Sequence, residues 1–139
     1  MQLNISRLAC AAILSLGVSS SAFAADTYKL DASHTAITWH INHFGYSTPS
    51  GKFMNVDGAV MLDEKKPEAS SVKLTIQVAD VNTGVAKLDE HLKGKDFFDV
   101  ATYPTATFES TSVKPTGKDT ATVVGNLTLH GVTKPVSLN

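Results

Sequence analysis

Apolar and polar residues alternate along most of the chain. Over residues 36–43, Ile37, Trp39 and Ile41 fall on one face of an extended backbone while Thr38, His40 and Asn42 fall on the other, the pattern of a half-buried strand. Residues 72–78 repeat it almost without error, with Leu74, Ile76 and Val78 sharing a face. A third run, 121–130, sets Val123, Leu127 and Leu129 on one side with Gly125 among them, and that glycine predicts a bulge or bend. Weaker strands are predicted over 27–30, 52–62 and 105–113, and a seventh begins at Thr133.

The breaks between these runs suit antiparallel connections. Residues 45–51 hold Pro49 and two serines, Lys65-Lys66-Pro67 interrupts the next pair, and Pro115 and Gly117 punctuate 114–119. His130-Gly131 between Leu129 and Val132 reads as a two-residue hairpin turn, where glycine supplies the positive φ of a primed turn. Short strands at this spacing predict a sandwich or barrel. One segment keeps a different period: Val85, Leu88 and Leu92 lie at i, i+3 and i+7, so residues 83–93 predict a short amphipathic helix capped by Asn82 or Thr83. Residues 96–100 add a helical turn whose Phe97-Phe98 pair needs an apolar surface to cover, and Tyr103-Pro104 returns the chain to an extended path.

The first residues do not belong to that pattern. Arg7 ends a short positive segment, residues 8–18 are apolar, and Ala22-Phe23-Ala24 is a small-x-small cleavage signal, so residues 1–24 predict a secretory signal peptide cut after Ala24. The apolar run is far shorter than the ~20 residues a membrane span requires, so no transmembrane anchor is expected. Residues 25–139 then form one domain, and removing the signal changes its composition. Cys10 and Arg7 are the chain's only cysteine and arginine, so the mature domain has no thiol, no disulfide and no guanidinium. Its 11 lysines face 13 acidic residues, a balance without the basic surplus that a nucleic-acid partner needs. Export places the domain in the periplasm, where disulfides form but this chain has none to make.

Candidate chemistry is sparse. Five histidines suggest copper or zinc, but His40 and His43 are three apart in a predicted strand and fall on opposite faces, while His34, His91 and His130 lie in other elements. No metal or other cofactor is expected. Asp89 and His91 are two residues apart on a helix and do not face each other, and no serine sits in a nucleophile elbow, so no catalytic residue emerges. What remains is the apolar set Ile37, Trp39, Ile41, Leu74, Ile76, Val78, Leu127 and Leu129. Periodicity alone is satisfied whether they fill a core or line a bore.

Several motifs occur in one order along the chain: His34-Thr35, His43-Phe44-Gly45-Tyr46, Gly51-Lys52-Phe53 with Asp57-Gly58, His91-Leu92, Asp96-Phe97-Phe98-Asp99 and Tyr103-Pro104. Phe108-x-Ser110 and Gly125-x-Leu127-Thr128-Leu129-x-Gly131-Val132-Thr133-Lys134-Pro135-Val136 follow. Together they resemble the YceI-like family of bacterial secreted proteins. The resemblance implies a mainly β, antiparallel lipocalin-like barrel with one short helical insertion, whose apolar tunnel binds a polyisoprenoid: a quinone tail or a polyprenyl carrier lipid. It implies no catalysis. The inward apolar set then lines the tunnel, Phe97, Phe98 and Phe108 join it at wall or mouth, and His34 and His43 are positions for head-group contact or for bracing the barrel. Family members continue past the segment matching residues 132–138 with closing strands, so the barrel expected here is incomplete. Two chains could complete each other's barrels as a homodimer. A β-sheet interaction module, docking a membrane-bound partner through open edges or residues 93–99, is the alternative.

Overall fold

A computed structural model describes residues 25–139; the predicted signal peptide lies outside the described residues. Among them are nine strands and one α-helix: β1 (Asp26–Lys29), β2 (Ile37–His40), β3 (Ser50–Phe53), β4 (Val56–Leu62), β5 (Ser71–Gln77), β6 (Val81–Asn82), α1 (Ala86–Lys93), β7 (Thr105–Pro115), β8 (Ala121–Leu129) and β9 (Val132–Leu138). Six strands form one antiparallel sheet in the order β1-β4-β5-β7-β8-β9, and β2-β3-β6 form a second. The architecture is a mainly β, antiparallel, lipocalin-like barrel whose sheets do not close into a ring.

Two corners create the second sheet. The predicted strand 52–62 breaks at Met54 and Asn55, and the chain leaves β3 in one sheet to enter β4 in the other. Strand β5 does the same through a single 3-10 turn, Val78–Asp80, before the two-residue β6. The corners are tied together, because the Gln77 N–H donates to the Asn55 carbonyl at 3.0 Å and the Met54 N–H to the Asp80 carbonyl at 3.4 Å. Strands that switch sheets at such bends are how two β layers come to face each other. No glycine or proline marks the corner at 54–55, so the hydrophobic pattern runs straight through it.

Between the layers lies the core: Phe53, Val56, Leu74, Ile76, Val78, Val81, Ala106 and Phe108, all buried. Gly125 does more than allow a bend. It pairs with Ser110 and lies diagonally from Phe108 across the β7–β8 ladder, and a Cβ there would stand 2.4 Å from the Phe108 ring and 2.5 Å from the Glu109 carbonyl oxygen, so only a bare backbone lets the ring approach β8 this closely. The ladder slips between Ser110 and Ser112 beside it, and the Ser110 hydroxyl accepts the Val72 N–H at 2.8 Å. The β8–β9 hairpin turns through His130 and Gly131 with φ of 51° and 72°, pairing Leu129 with Val132. Both central residues sit in the left-handed region, as a type I′ turn requires.

The helix starts later than its period suggests. Its N-cap residue is Val85, which has no side-chain acceptor. The segment before the helix is instead held from within it: the Asp89 carboxylate accepts the Thr83 N–H at 2.7 Å and the Thr83 hydroxyl at 2.6 Å. Asn82 instead accepts the Gly84 N–H at 2.9 Å. Residues 96–100 form turns, with Asp99 at φ 44°, and not another helical turn. Beyond them the Pro104 carbonyl accepts the Val78 N–H at 3.0 Å, which fixes the return to β7.

Candidate functional site

An apolar cavity of about 800 Å³ opens between the two sheets. Its floor comes from the facing layers, with Phe53 on β3, Ile76 on β5, Ala106 on β7 and Leu127 and Leu129 on β8. Ile37 and Trp39 on β2 form one side, and Leu88 and Leu92, one helical turn apart on α1, form another with Phe97 and Phe98 from the turns after it. These are the positions where alternation and helical period converge on one space. Polar side chains occur only at the rim: His40, His43, Ser50, Thr83 and His130. Among the described residues, no lysine, aspartate or glutamate lines the cavity.

Aromatic rings set its shape. Trp39 lies against Gly51 of the neighbouring strand, where a Cβ would come within 2.3 Å of the indole. Phe98 meets Phe53 edge to face at 5.5 Å and Trp39 at 6.5 Å, geometries that aromatic quadrupoles favour. The Trp39 indole N–H is buried and has no hydrogen-bond partner among the described residues; leaving such a donor unpaired costs about 1–3 kcal/mol. At the rim, His91 packs on Phe97 at 4.7 Å and His130 on Tyr103 at 4.6 Å.

The mouth is unusually exposed for an apolar surface. Ile41 is 58% exposed, and the tight turn beyond it, closed by the His43–Ser47 bridge, holds Phe44 and Tyr46 at 83% and 94%. Phe44 takes a positive φ of 54°, followed by Gly45 at 78°. A non-glycine residue pays for that conformation, and here its ring is held out in water against His43, 4.7 Å away.

The structure distributes the predicted residues unevenly. Ile37, Trp39, Ile41, Ile76, Phe97, Phe98, Leu127, Leu129 and His43 line the cavity. Leu74, Val78 and Phe108 do not, being buried in the core behind the floor. His34 stands away from it: its Nδ1 lies 2.6 Å from an Asp31 carboxylate oxygen and 3.0 Å from the Ser33 hydroxyl on an exposed turn. Hydrogen bonds from Ser33 and His34 hold the Asp31 carboxyl below the usual carboxylate range. His40 and His43 both line the rim despite their spacing: pairing runs on past β2, with the Ile41 N–H donating to the Pro49 carbonyl and His43 bridging Ser47, so by alternation His43 continues the face of Ile41 while His40 borders the opening from the other face. Phe53, Leu88, Leu92, Ala106 and His130 line the cavity without having been singled out as its wall. The helical period had already placed Leu88 and Leu92 on an apolar face, whereas Ala106 gives no signal of its own.

Among the described residues, no group of three or more His, Cys, Asp or Glu side chains could hold a metal ion, and no helix is long and apolar enough to cross a membrane. A short acidic link braces the rim from behind. The two hydrogen bonds from Thr83 hold the Asp89 carboxyl below the usual carboxylate range, and Lys93, 2.9 Å from Glu90, keeps its ammonium above the usual lysine value.

A family model described as the YceI-like domain matches residues 28–139. The chain is 49% identical over 117 residues to a UPF0312 protein of Azotobacter vinelandii, covering 83% of this chain and 60% of the relative. It is 48% identical over 133 residues to a UPF0312 protein of Pseudomonas aeruginosa, covering 91% and 69%. Among solved structures it is similar to Burkholderia cenocepacia BcnA, with a TM-score of 0.64 at 30% identity over 73% of this chain and 64% of that one. A Campylobacter jejuni YCEI protein gives a TM-score of 0.60 at 31% identity, covering 79% and 64%. The chain therefore spans about 60–69% of the length of these relatives.

Proposed function

The chain belongs to the YceI-like domain family, and from that premise we propose that it is a non-catalytic carrier that holds a long isoprenoid lipid in the cavity between its sheets. One observation carries the reading: the cavity of about 800 Å³ has a wholly apolar floor and side walls, with polar side chains confined to its rim. Its volume lies toward the upper end of the roughly 300–1,000 Å³ common for ligand pockets. An isoprenoid needs no clamp. Each buried methylene contributes about 0.8 kcal/mol, so an apolar wall of this size retains part of a long tail by burial alone. The aromatic walls suit a methyl-branched polyene, offering broad flat surfaces with few rotamers to freeze.

In this reading Ile37, Trp39, Ile41, Ile76, Phe97, Phe98, Leu127 and Leu129 contact the tail, and Leu74, Val78 and Phe108 support the wall from the core. His43 stands where a head group emerges, while His34 braces the turn before β2. Residues 1–24 act as a cleaved export signal that delivers residues 25–139 to the periplasm, where a lipid with a long apolar tail needs a shield from water.

The test is direct. Organic extracts of the purified protein, analysed by mass spectrometry, contain a co-purifying polyprenyl compound if the reading holds. A clean extract, together with failure to bind added octaprenyl quinone, contradicts it.

A further inference from the structure

Resting on that reading, we infer that the cavity selects an isoprenoid with an uncharged head, such as a quinone or free alcohol, over one ending in a phosphate. Hydrocarbon tails of equal length bury the same surface, so discrimination falls to the rim. The rim offers hydroxyls and imidazoles, Ser50, Thr83, His40, His43 and His130, and neither a lysine nor an arginine. Arginine, the residue best shaped for phosphate, is absent from residues 25–139 altogether.

The nearby charges are turned elsewhere. Lys52 sits on β3 between Gly51 and Phe53, which face Trp39 and the core. By strand alternation its side chain leaves on the opposite face. There it lines a shallower, adjoining depression of about 370 Å³ that shares Ser50 and Thr83 with the rim, and it is not among the residues lining the cavity. Lys93 is engaged with Glu90 at 2.9 Å. The charge that stands directly behind the rim is negative, because the Asp89 carboxylate lies 2.6 Å from the Thr83 hydroxyl. That hydroxyl already donates to Asp89 and accepts the Val85 N–H at 3.3 Å, so its proton is committed and it offers a phosphate no donor. A phosphate placed here meets a like charge and finds no cation to offset its lost hydration. A neutral head finds what it needs, since an imidazole can donate through one ring nitrogen and accept through the other.

Octaprenol and octaprenyl monophosphate, matched in tail and presented in the same uncharged detergent, separate the possibilities when each competes with bound octaprenyl quinone. We expect octaprenol to displace the quinone at a concentration at least tenfold below that of the monophosphate. Displacement by the monophosphate at equal or lower concentration overturns the inference and leaves the lipid-carrier reading standing. If the quinone itself does not bind, the carrier reading fails, and the inference with it. His43→Lys, an exposed rim substitution on the face that carries Ile37, Trp39 and Ile41, is expected to narrow the ratio between the two competitors by strengthening monophosphate binding. An unchanged ratio in a folded variant overturns the claim that rim charge sets the preference.

Discussion

Strands β5 and β2 carry the same alternation and meet different fates. On β5, Leu74 points into a space filled by core residues such as Val56 and Phe108 and is only 7% exposed, while Ile76 beside it closes the cavity floor. On β2, Ile37 and Trp39 are partly buried, and Ile41, continuing the same face, is more than half exposed at the cavity mouth. The residue types are alike. What differs is whether a second layer stands opposite at packing distance, and that depends on where the chain switches sheets. A pattern of apolar residues therefore specifies an inward face, while the corners at 54–55 and 78–80 decide which part becomes core and which becomes wall.

The contrast can be strained from its most sensitive side first. Phe108→Ala removes a ring that is 2% exposed and packed against Gly125; large-to-small changes of this kind cost about 3–5 kcal/mol. Urea denaturation should show a loss of that size, and a loss below 1 kcal/mol would place Phe108 outside the core. Filling the cavity should act the other way. Ile37→Trp occupies lipid space on the β2 side, so the variant should stay folded by circular dichroism and lose most of the lipid recovered in organic extracts. Full lipid recovery would show that the tail lies elsewhere.

A smaller effect is expected at the mouth. Ile41→Ser lies at a surface position, where stability changes are usually within about 0.5 kcal/mol. It also removes an apolar side chain from the rim, so lipid affinity should fall several-fold while Tm barely moves. A large fall in Tm with unchanged affinity would reverse the assignment of β2 as wall. The smallest effect concerns Asp89. Its carboxyl lies below the ordinary value of 3.8 because Thr83 bonds it, so its contribution is complete above that pH and is lost as pH falls through the depressed folded value. The Tm difference between the protein and Asp89→Asn should be largest near neutrality and shrink in acid below pH 3.8. A difference independent of pH would show that the Thr83 link does not depend on the ionised carboxylate.

Much of this fold was legible locally. The His130-Gly131 turn, the helix around Leu88 and Leu92, and the face shared by Ile37 and Trp39 each follow from short-range chemistry. The corner at Met54 and Asn55 was not, since no residue there breaks the strand pattern and the switch is fixed by hydrogen bonds to the Gln77–Asp80 corner. The helix start was misplaced because Thr83 is bonded to Asp89 from outside the helix and the N-cap position falls on Val85, which no capping preference selects. Leu74, Val78 and Phe108 could not be told from Ile37 or Leu127 by period, because core and cavity wall demand the same side chains. The rim histidines were obscured for a related reason: strand spacing puts His40 and His43 on opposite faces, yet both border the one opening.

Trp39 is the chain's single tryptophan and part of the cavity wall, which makes the central claim measurable without modification. Octaprenyl benzoquinone, titrated into the purified protein in uncharged detergent, should quench Trp39 emission saturably at one equivalent and lose that effect in Ile37→Phe. Emission that falls only in linear, non-saturating fashion, equally in both proteins, would contradict an isoprenoid site between the sheets.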